Sequence, residues 1–281
     1  MIFEGDQAAG LRRTEGGARL YRLRRNGVGP HVLAVTSGKG GVGKTQVAAN
    51  LAVSLARDGK HVLLLDADLG LASLDLALGL QPELNLLSVL AGDRTVEEIL
   101  VAGPCGVRLA PACPGRYDMA NLDASQRERL WSMIEEASGC YDVLIVDTGA
   151  GIGSNAVDFA SRADDVLLIT TPDPTALRDA YAMAKVLHRR AGVDRVQVIA
   201  NQVESEREGA ELYGRMDSIV RRFLSLELAY LGAIPRDENV RSSGAAGEPF
   251  VLRAPSAPCA RAMQGIARKV RLLQNVEGVS C

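Results

Sequence analysis

The stretch Ser37-Gly38-Lys39-Gly40-Gly41-Val42-Gly43-Lys44-Thr45 constrains this chain more than any other feature. It fits the spacing GxxxxGK[ST], with an apolar run (31–36) before it and a helical pattern (44–57) behind it. Glycines let successive backbone N–H groups turn inward, because no Cβ blocks the approach of an oxyanion. The following helix directs its positive N-terminal end at the same point. The spacing therefore predicts a phosphate-binding loop, with Gln46 on the first helical turn beside it. In such a loop Lys44 neutralises terminal phosphate oxygens and the Thr45 hydroxyl ligates Mg2+.

The rest of the chain repeats the same alternation. Apolar, β-branched-rich runs occur at 31–36, 61–65, 107–110, 142–146, 165–170, 196–200 and 230–234. Helical patterns lie at 44–57, 124–137, 154–160, 175–190 and 207–224. Nearly unbroken apolar strands are expected where helices cover both sheet faces. The pattern predicts an α/β fold, a single doubly wound, mostly parallel sheet with helices on both faces. We divide the chain into an N-terminal motif and linker (1–30, with a short helix at 7–13), a body (31–255) and a C-terminal helix and tail (256–281). In that last helix Cys259, Met263, Ile266, Val270 and Leu273 form one apolar stripe. The stripe fits packing on the sheet better than contact with lipid.

Composition narrows the function. No apolar run approaches the roughly 18–20 residues of a membrane-spanning helix. Only 4% of residues are aromatic, which argues against a base-stacking surface for single strands. The net charge of −2 hides basic ends: six arginines against three acids in 1–30, and five bases against Glu277 in 253–281. The body between them is acidic, so no specific nucleic acid is expected. Basic ends suit acidic partners or anionic lipid, and equally a solvated tail. The five scattered cysteines form no CxxC pair, which suggests reduced thiols in the cytoplasm and no metal cluster.

Two acidic positions complete a nucleotide site. Leu63-Leu64-Leu65-Asp66-Ala67-Asp68 ends one strand with carboxylates at i and i+2, where open α/β sheets bind ligands. Val143-Leu144-Ile145-Val146-Asp147 ends another with a single carboxylate, enough for Mg2+, which keeps most of its waters. Asp147 is thus a metal-side candidate. Thr148, Gly149, Ala150 and Gly151 are expected to form a switch loop that senses the terminal phosphate. Asn201 ends a later strand and can pair with an adenine edge. Asn201-Gln202-Val203-Glu204 lacks the short carboxylate that reads guanine, so ATP is preferred to GTP.

The second lysine, Lys39, makes the loop a deviant form, KGGVGKT, which resembles the MinD/ParA group of dimerising ATPases. That resemblance implies that Lys39 crosses to the partner subunit's nucleotide, that Asp68 positions the attacking water, and that Asp66 lies near the magnesium. It also implies a second adenine-side loop at Ile234-Pro235-Arg236-Asp237, with Pro235 and Asp237 at the nucleotide. Catalysis then rests on Lys39, Lys44 and Asp68, with ATP and Mg2+ and an ATP-dependent homodimer. Within the group, Asp66–Asp75, Met119-Ala120-Asn121-Leu122 and Asp173–Tyr181 are similar to the FlhG/FleN regulators of flagellar number and placement. Asp6-Gln7-Ala8-Ala9-Gly10-Leu11-Arg12 is similar to the segment with which such regulators engage an FlhF-like GTPase. Asp6, Gln7, Leu11 and Arg12 are the partner-binding candidates, and flagellar regulatory or basal-body proteins are further expected partners. Two alternatives stand beside this: a ParA- or MinD-type positioning ATPase for septum, pilus or chromosome, and a non-catalytic, ATP-sensing anti-activator. The expected location is the cytoplasm, with contact at the inner face of the membrane open.

Overall fold

The computed structural model describes residues 29–276, and their alternation resolves into one eight-stranded sheet. The strands are β1 (His31–Ser37), β2 (Val62–Ala67), β3 (Val101–Ala102), β4 (Arg108–Ala110), β5 (Val143–Ala150), β6 (Asp165–Thr170), β7 (Arg195–Val203) and β8 (Glu227–Pro235). Their order is β3-β4-β2-β5-β1-β6-β7-β8, and only the β3–β4 pair is antiparallel. The helices are α1 (Lys44–Arg57), α2 (Leu74–Leu78), α3 (Leu86–Ala91), α4 (Val96–Ile99), α5 (Tyr117–Ala120) and α6 (Ala124–Ser138). They continue with α7 (Ser154–Ser161), α8 (Pro174–Ala191), α9 (Glu206–Phe223), α10 (Glu238–Ala246), α11 (Phe250–Arg253) and α12 (Pro258–Val276).

Alternation along β1 divides the core. Leu33 and Val35 face a layer built by α1, α2, α11 and α12. Val32 faces α3, α4, α6 and Phe159, and Ala34 faces α8 and α9. Both faces are covered, which is why the strands read as continuous apolar runs. Helix starts are fixed locally: Asp123 and Gln126 form a reciprocal capping box on α6, and Asp173 caps α8 ahead of Pro174. Such a cap stabilises by about 1 kcal/mol. The chain leaves β1 toward β2 on one side and reaches β6 on the other, so the carboxyl end of β1 is the crevice where such sheets bind ligands.

The C-terminal stripe packs inward. Cys259, Met263, Ile266 and Val270 are buried against the α1 layer, and Lys269 Nζ donates to the Leu231 carbonyl at 2.7 Å. Among the described residues no helix is long and apolar enough to cross a membrane.

The sequence reading misplaces several boundaries. β5 runs to Ala150, so Thr148, Gly149 and Ala150 are strand residues where a loop was expected. Pairing with β1 extends it: Ser37 stands opposite Ala150, and Gly151 N–H donates to the Ser37 carbonyl at 2.9 Å. The helices α2 to α5 have four to six residues each, too few to show a helical period. The two-residue β3 leaves no strand pattern either. The short helix expected at 7–13 lies outside the described residues.

Candidate nucleotide-binding site

The loop from Gly38 to Gly43 is held from two sides. Gly43 caps α1 in the left-handed region (φ 93°), and a Cβ there would stand 2.4 Å from Asn201 Nδ2. The same Nδ2 donates to the Val42 carbonyl at 2.7 Å, and Gln202 Nε2 donates to the Gly41 carbonyl at 3.3 Å. Gln202 itself has φ 58°, a strained conformation for a non-glycine residue, at the point where β7 touches the loop. On the other side a Cβ on Gly38 would fall 1.9 Å from the Asp179 carbonyl of α8, so only glycine fits. The first turn of α1 has no acidic side chain and no side-chain cap, which leaves its N–H groups to an anion.

Beneath the loop lie two carboxylates in register. Asp66 on β2 stands opposite Asp147 on β5, and each is 1% exposed. Asp66 Oδ1 accepts from Asp68 N–H at 3.2 Å, and its Oδ2 accepts from Ser73 and Leu74 N–H at 3.1 Å each. Burial pushes its carboxyl up to about 7 against the pull of those three bonds. Burial and the neighbouring Asp66 push Asp147 up to about 8, while Lys44 and the Thr45 hydroxyl pull it down. Asp147 Oδ1 is buried with no hydrogen-bond partner. An orphaned carboxylate oxygen beside a threonine hydroxyl suits a hard, oxygen-seeking cation. Among the described residues no cluster of three His, Cys, Asp or Glu could hold a metal alone. Asp68 is half-buried, and its Oδ1 lies 3.6 Å from where a Cβ on Gly149 would be, so it meets the end of β5. Thr148 Oγ1 lies 2.9 Å from Thr36 Oγ1 and donates toward the Val35 carbonyl at 3.2 Å, tying β5 to β1.

Lys39 is not aimed at its own loop. Its Nζ donates to Asp173 Oδ2 at 3.0 Å and to Thr175 Oγ1 at 2.5 Å. The Thr175 hydroxyl, then the Lys39 ammonium, hold the Asp173 carboxyl below the usual carboxylate range.

A cavity of about 390 Å³ opens beside the loop, lined by Gly43, Gln46, Asn201, Pro235, Val240 and Arg241 among others. It therefore gathers expected nucleotide contacts from three separate segments, at 43–46, 201 and 235–237. Asp237 borders it, but its oxygens cap other groups: Oδ1 accepts from Asn239 N–H and Nδ2, and Oδ2 from Cys259 N–H. Gln202, Ser73 and Asp173 were not among the expected site residues. Asp173 alone carried a local signal, as the cap before a proline-started helix. Asp6, Gln7, Leu11 and Arg12 lie outside the described residues.

Comparison with known proteins agrees with this geometry. Residues 33–250 match the family described as CobQ/CobB/MinD/ParA nucleotide binding domain. The chain is 43% identical over 239 residues to the antiactivator FleN of Pseudomonas aeruginosa, covering 85% of each protein. It is 39% identical over 203 residues to the flagellum site-determining protein YlxH of Helicobacter pylori, covering 72% of this chain and 68% of that one. Among solved structures it resembles the septum site-determining protein MinD complexed with Mg-ADP from Pyrococcus horikoshii OT3, with TM-score 0.72 and 27% identity, covering 88% of this chain and 98% of the other.

Proposed function

Because this chain belongs to the CobQ/CobB/MinD/ParA nucleotide-binding family, we propose that it is a MinD-like ATPase switch of the FlhG/FleN type, acting in flagellar number or placement. The observation that carries the reading is the buried, in-register Asp66–Asp147 pair at the foot of a loop that supplies Lys44 and Thr45.

The chemistry is phosphoryl transfer from ATP to water. Lys44 and the loop amides bind the phosphate tail, and Asn201, Gln46 and Pro235 receive the base. Asn201 lines the cavity and spends an amide N–H on the Val42 carbonyl, which leaves its Oδ1 as the acceptor to offer a base. An acceptor there suits the adenine amino group and rejects the guanine carbonyl. Thr45 and Asp147 would hold Mg2+, with Asp66 behind them; bound there, the ion offsets phosphate charge. Asp68 orients a water whose oxygen attacks the γ-phosphorus as the bond to ADP breaks. Lys39, released from Asp173, reaches the partner subunit's nucleotide and adds positive charge when two subunits close face to face. Catalysis then comes from positioning and charge stabilisation rather than covalent chemistry.

The proposal includes a cytoplasmic protein whose segment around Asp6, Gln7, Leu11 and Arg12 engages an FlhF-like GTPase, with the body at 31–255 as the ATPase unit. The name antiactivator, borne by FleN, favours a second reading, in which ATP acts as a conformational ligand and turnover is negligible. Single-turnover hydrolysis of Mg-ATP by the full chain separates the two. Conversion to ADP and phosphate supports the switch, and bound ATP that persists unhydrolysed supports the ligand-only reading. Deleting residues 1–20 tests the partner: unchanged stimulation of FlhF-like GTP turnover would remove it.

A further inference from the structure

Two helix ends meet behind the site. α2 ends at Gly79 (φ 67°) and α10 at Gly247 (φ 63°), both left-handed. A Cβ on Gly79 would stand 2.4 Å from the Gly247 carbonyl oxygen. One on Gly247 would stand 3.0 Å from Gly79 Cα and 3.3 Å from the Leu76 carbonyl oxygen. So close an approach of two backbones requires glycine on both sides.

Each helix touches a different end of the nucleotide site. The Ser73 and Leu74 N–H groups that open α2 donate to Asp66 Oδ2, and Ser73 Oγ lies 3.4 Å from Thr45 Oγ1. α10 contributes Val240, Arg241 and Gly244 to the base cavity. A Cβ on Gly244 would lie 3.4 Å from Gln46 Nε2 of α1. The contacts close a ring: base cavity, α10, the glycine joint, α2 with Ser73 at both Asp66 and Thr45, and back along α1 to Gln46. Packed elements of this kind shift as units rather than bend continuously.

We propose that Gly79 and Gly247 are positioning residues, a joint through which a purine seated against α10 sets α2 and with it the Asp66 end of the site. The joint makes the base, and not only the phosphates, a determinant of how the metal-side carboxylate is held. This inference rests on the nucleotide-binding reading above.

Hydrogen exchange of the full chain tests it with Mg-ADP and with Mg-pyrophosphate, which lacks the base. In the wild type, Mg-ADP slows exchange over 73–79 by about threefold or more beyond Mg-pyrophosphate. Gly59→Ala is the control for backbone strain, since Gly59 has φ 87° and a Cβ there meets nothing within 4 Å. That variant keeps the base-dependent increment. Gly79→Ala and Gly247→Ala lose it over 73–79 while 38–45 stays protected. An increment that survives in both joint variants, or is missing from the wild type, overturns the coupling. If neither ligand protects 38–45 in the wild type, the nucleotide-binding reading itself fails, and the joint with it.

Discussion

Lys39 Nζ lies 3.0 Å from Asp173 Oδ2, so the loop's second lysine is tied to the capping residue of α8 within its own chain. The pair is exposed on both sides, with 38% and 47% of each side chain accessible, and solvent screens it. A contact this weak can be exchanged for one to a partner's phosphate. Lys39→Ala is expected to bind Mg-ATP as a monomer and to lose the ATP-dependent dimer, read by light scattering on a sizing column. Asp173→Ala removes the ion pair, leaves the lysine only the Thr175 hydroxyl, and raises the dimer fraction at sub-saturating ATP. A dimer unaffected by Lys39→Ala would remove the role in trans.

Asp68 stands beside Gly149 at the end of β5 and is only half-buried, outside the buried carboxylate pair. Its removal should spare binding and strike the chemical step. Asp68→Ala is expected to retain ATP and to lower single-turnover hydrolysis by about 10²-fold or more, the usual contribution of a group that positions a reacting proton or water. Hydrolysis at the wild-type rate would transfer the role to another residue.

Asn201 lines the base cavity and its Nδ2 donates to the Val42 carbonyl, which leaves Oδ1 as its acceptor. ATP should therefore outcompete GTP by about tenfold or more, the cost of facing a buried acceptor with another acceptor being about 1–3 kcal/mol. Asn201→Ala is expected to narrow that preference and to weaken both nucleotides, because the loop loses its tie at Val42. Competition against a fluorescent ATP analogue measures both effects. Equal affinity of the wild type for ATP and GTP would contradict the assignment.

The buried carboxylates give the ligand-free protein a pH signature. Asp147 is held at about 8 and Asp66 at about 7, above the ordinary 3.8. Both folded values exceed the unfolded one, so the folded state binds more protons between those limits. The stabilisation is complete below about pH 4 and fades as pH rises toward 8. Asp147→Asn should flatten the fall in melting temperature of the ligand-free chain from acid to pH 8, and should abolish Mg2+-dependent nucleotide affinity. Metal binding must release a proton in the same window, so wild-type Mg2+ affinity rises with pH. An Asp147→Asn variant with the wild-type pH profile would contradict this.

What the sequence made legible was contiguous. Gly38 to Thr45 lie in one stretch between a strand and a helix, and Asp66 and Asp147 each end an apolar run whose length fixes their depth. The sheet followed from uninterrupted runs such as Leu63-Leu64-Leu65, which only a doubly covered sheet buries on both sides. Relations between distant segments were not legible. Lys39 and Asp173 are 134 positions apart, and Asn201 and Val42 are 159 apart. No local pattern records which side chain a folded backbone brings opposite another. Asp237 shows another limit: its motif pointed to the nucleotide and it borders the base cavity, but no local pattern told that its oxygens would be engaged by Asn239 and Cys259. The end of β5 was missed because Thr148-Gly149-Ala150-Gly151 reads as a loop by composition, and pairing with β1 overrides that preference.

Isothermal titration of the full chain with Mg-ATP, with Lys44→Ala titrated alongside, tests the central claim most directly. The wild type is expected to bind one nucleotide per chain with measurable heat. The variant should show none at the same concentrations, since truncating one partner of a buried charge pair costs about 2–5 kcal/mol. Absence of binding by the wild type, or equal binding by Lys44→Ala, would contradict the assignment of Gly38 to Thr45 as the phosphate cradle.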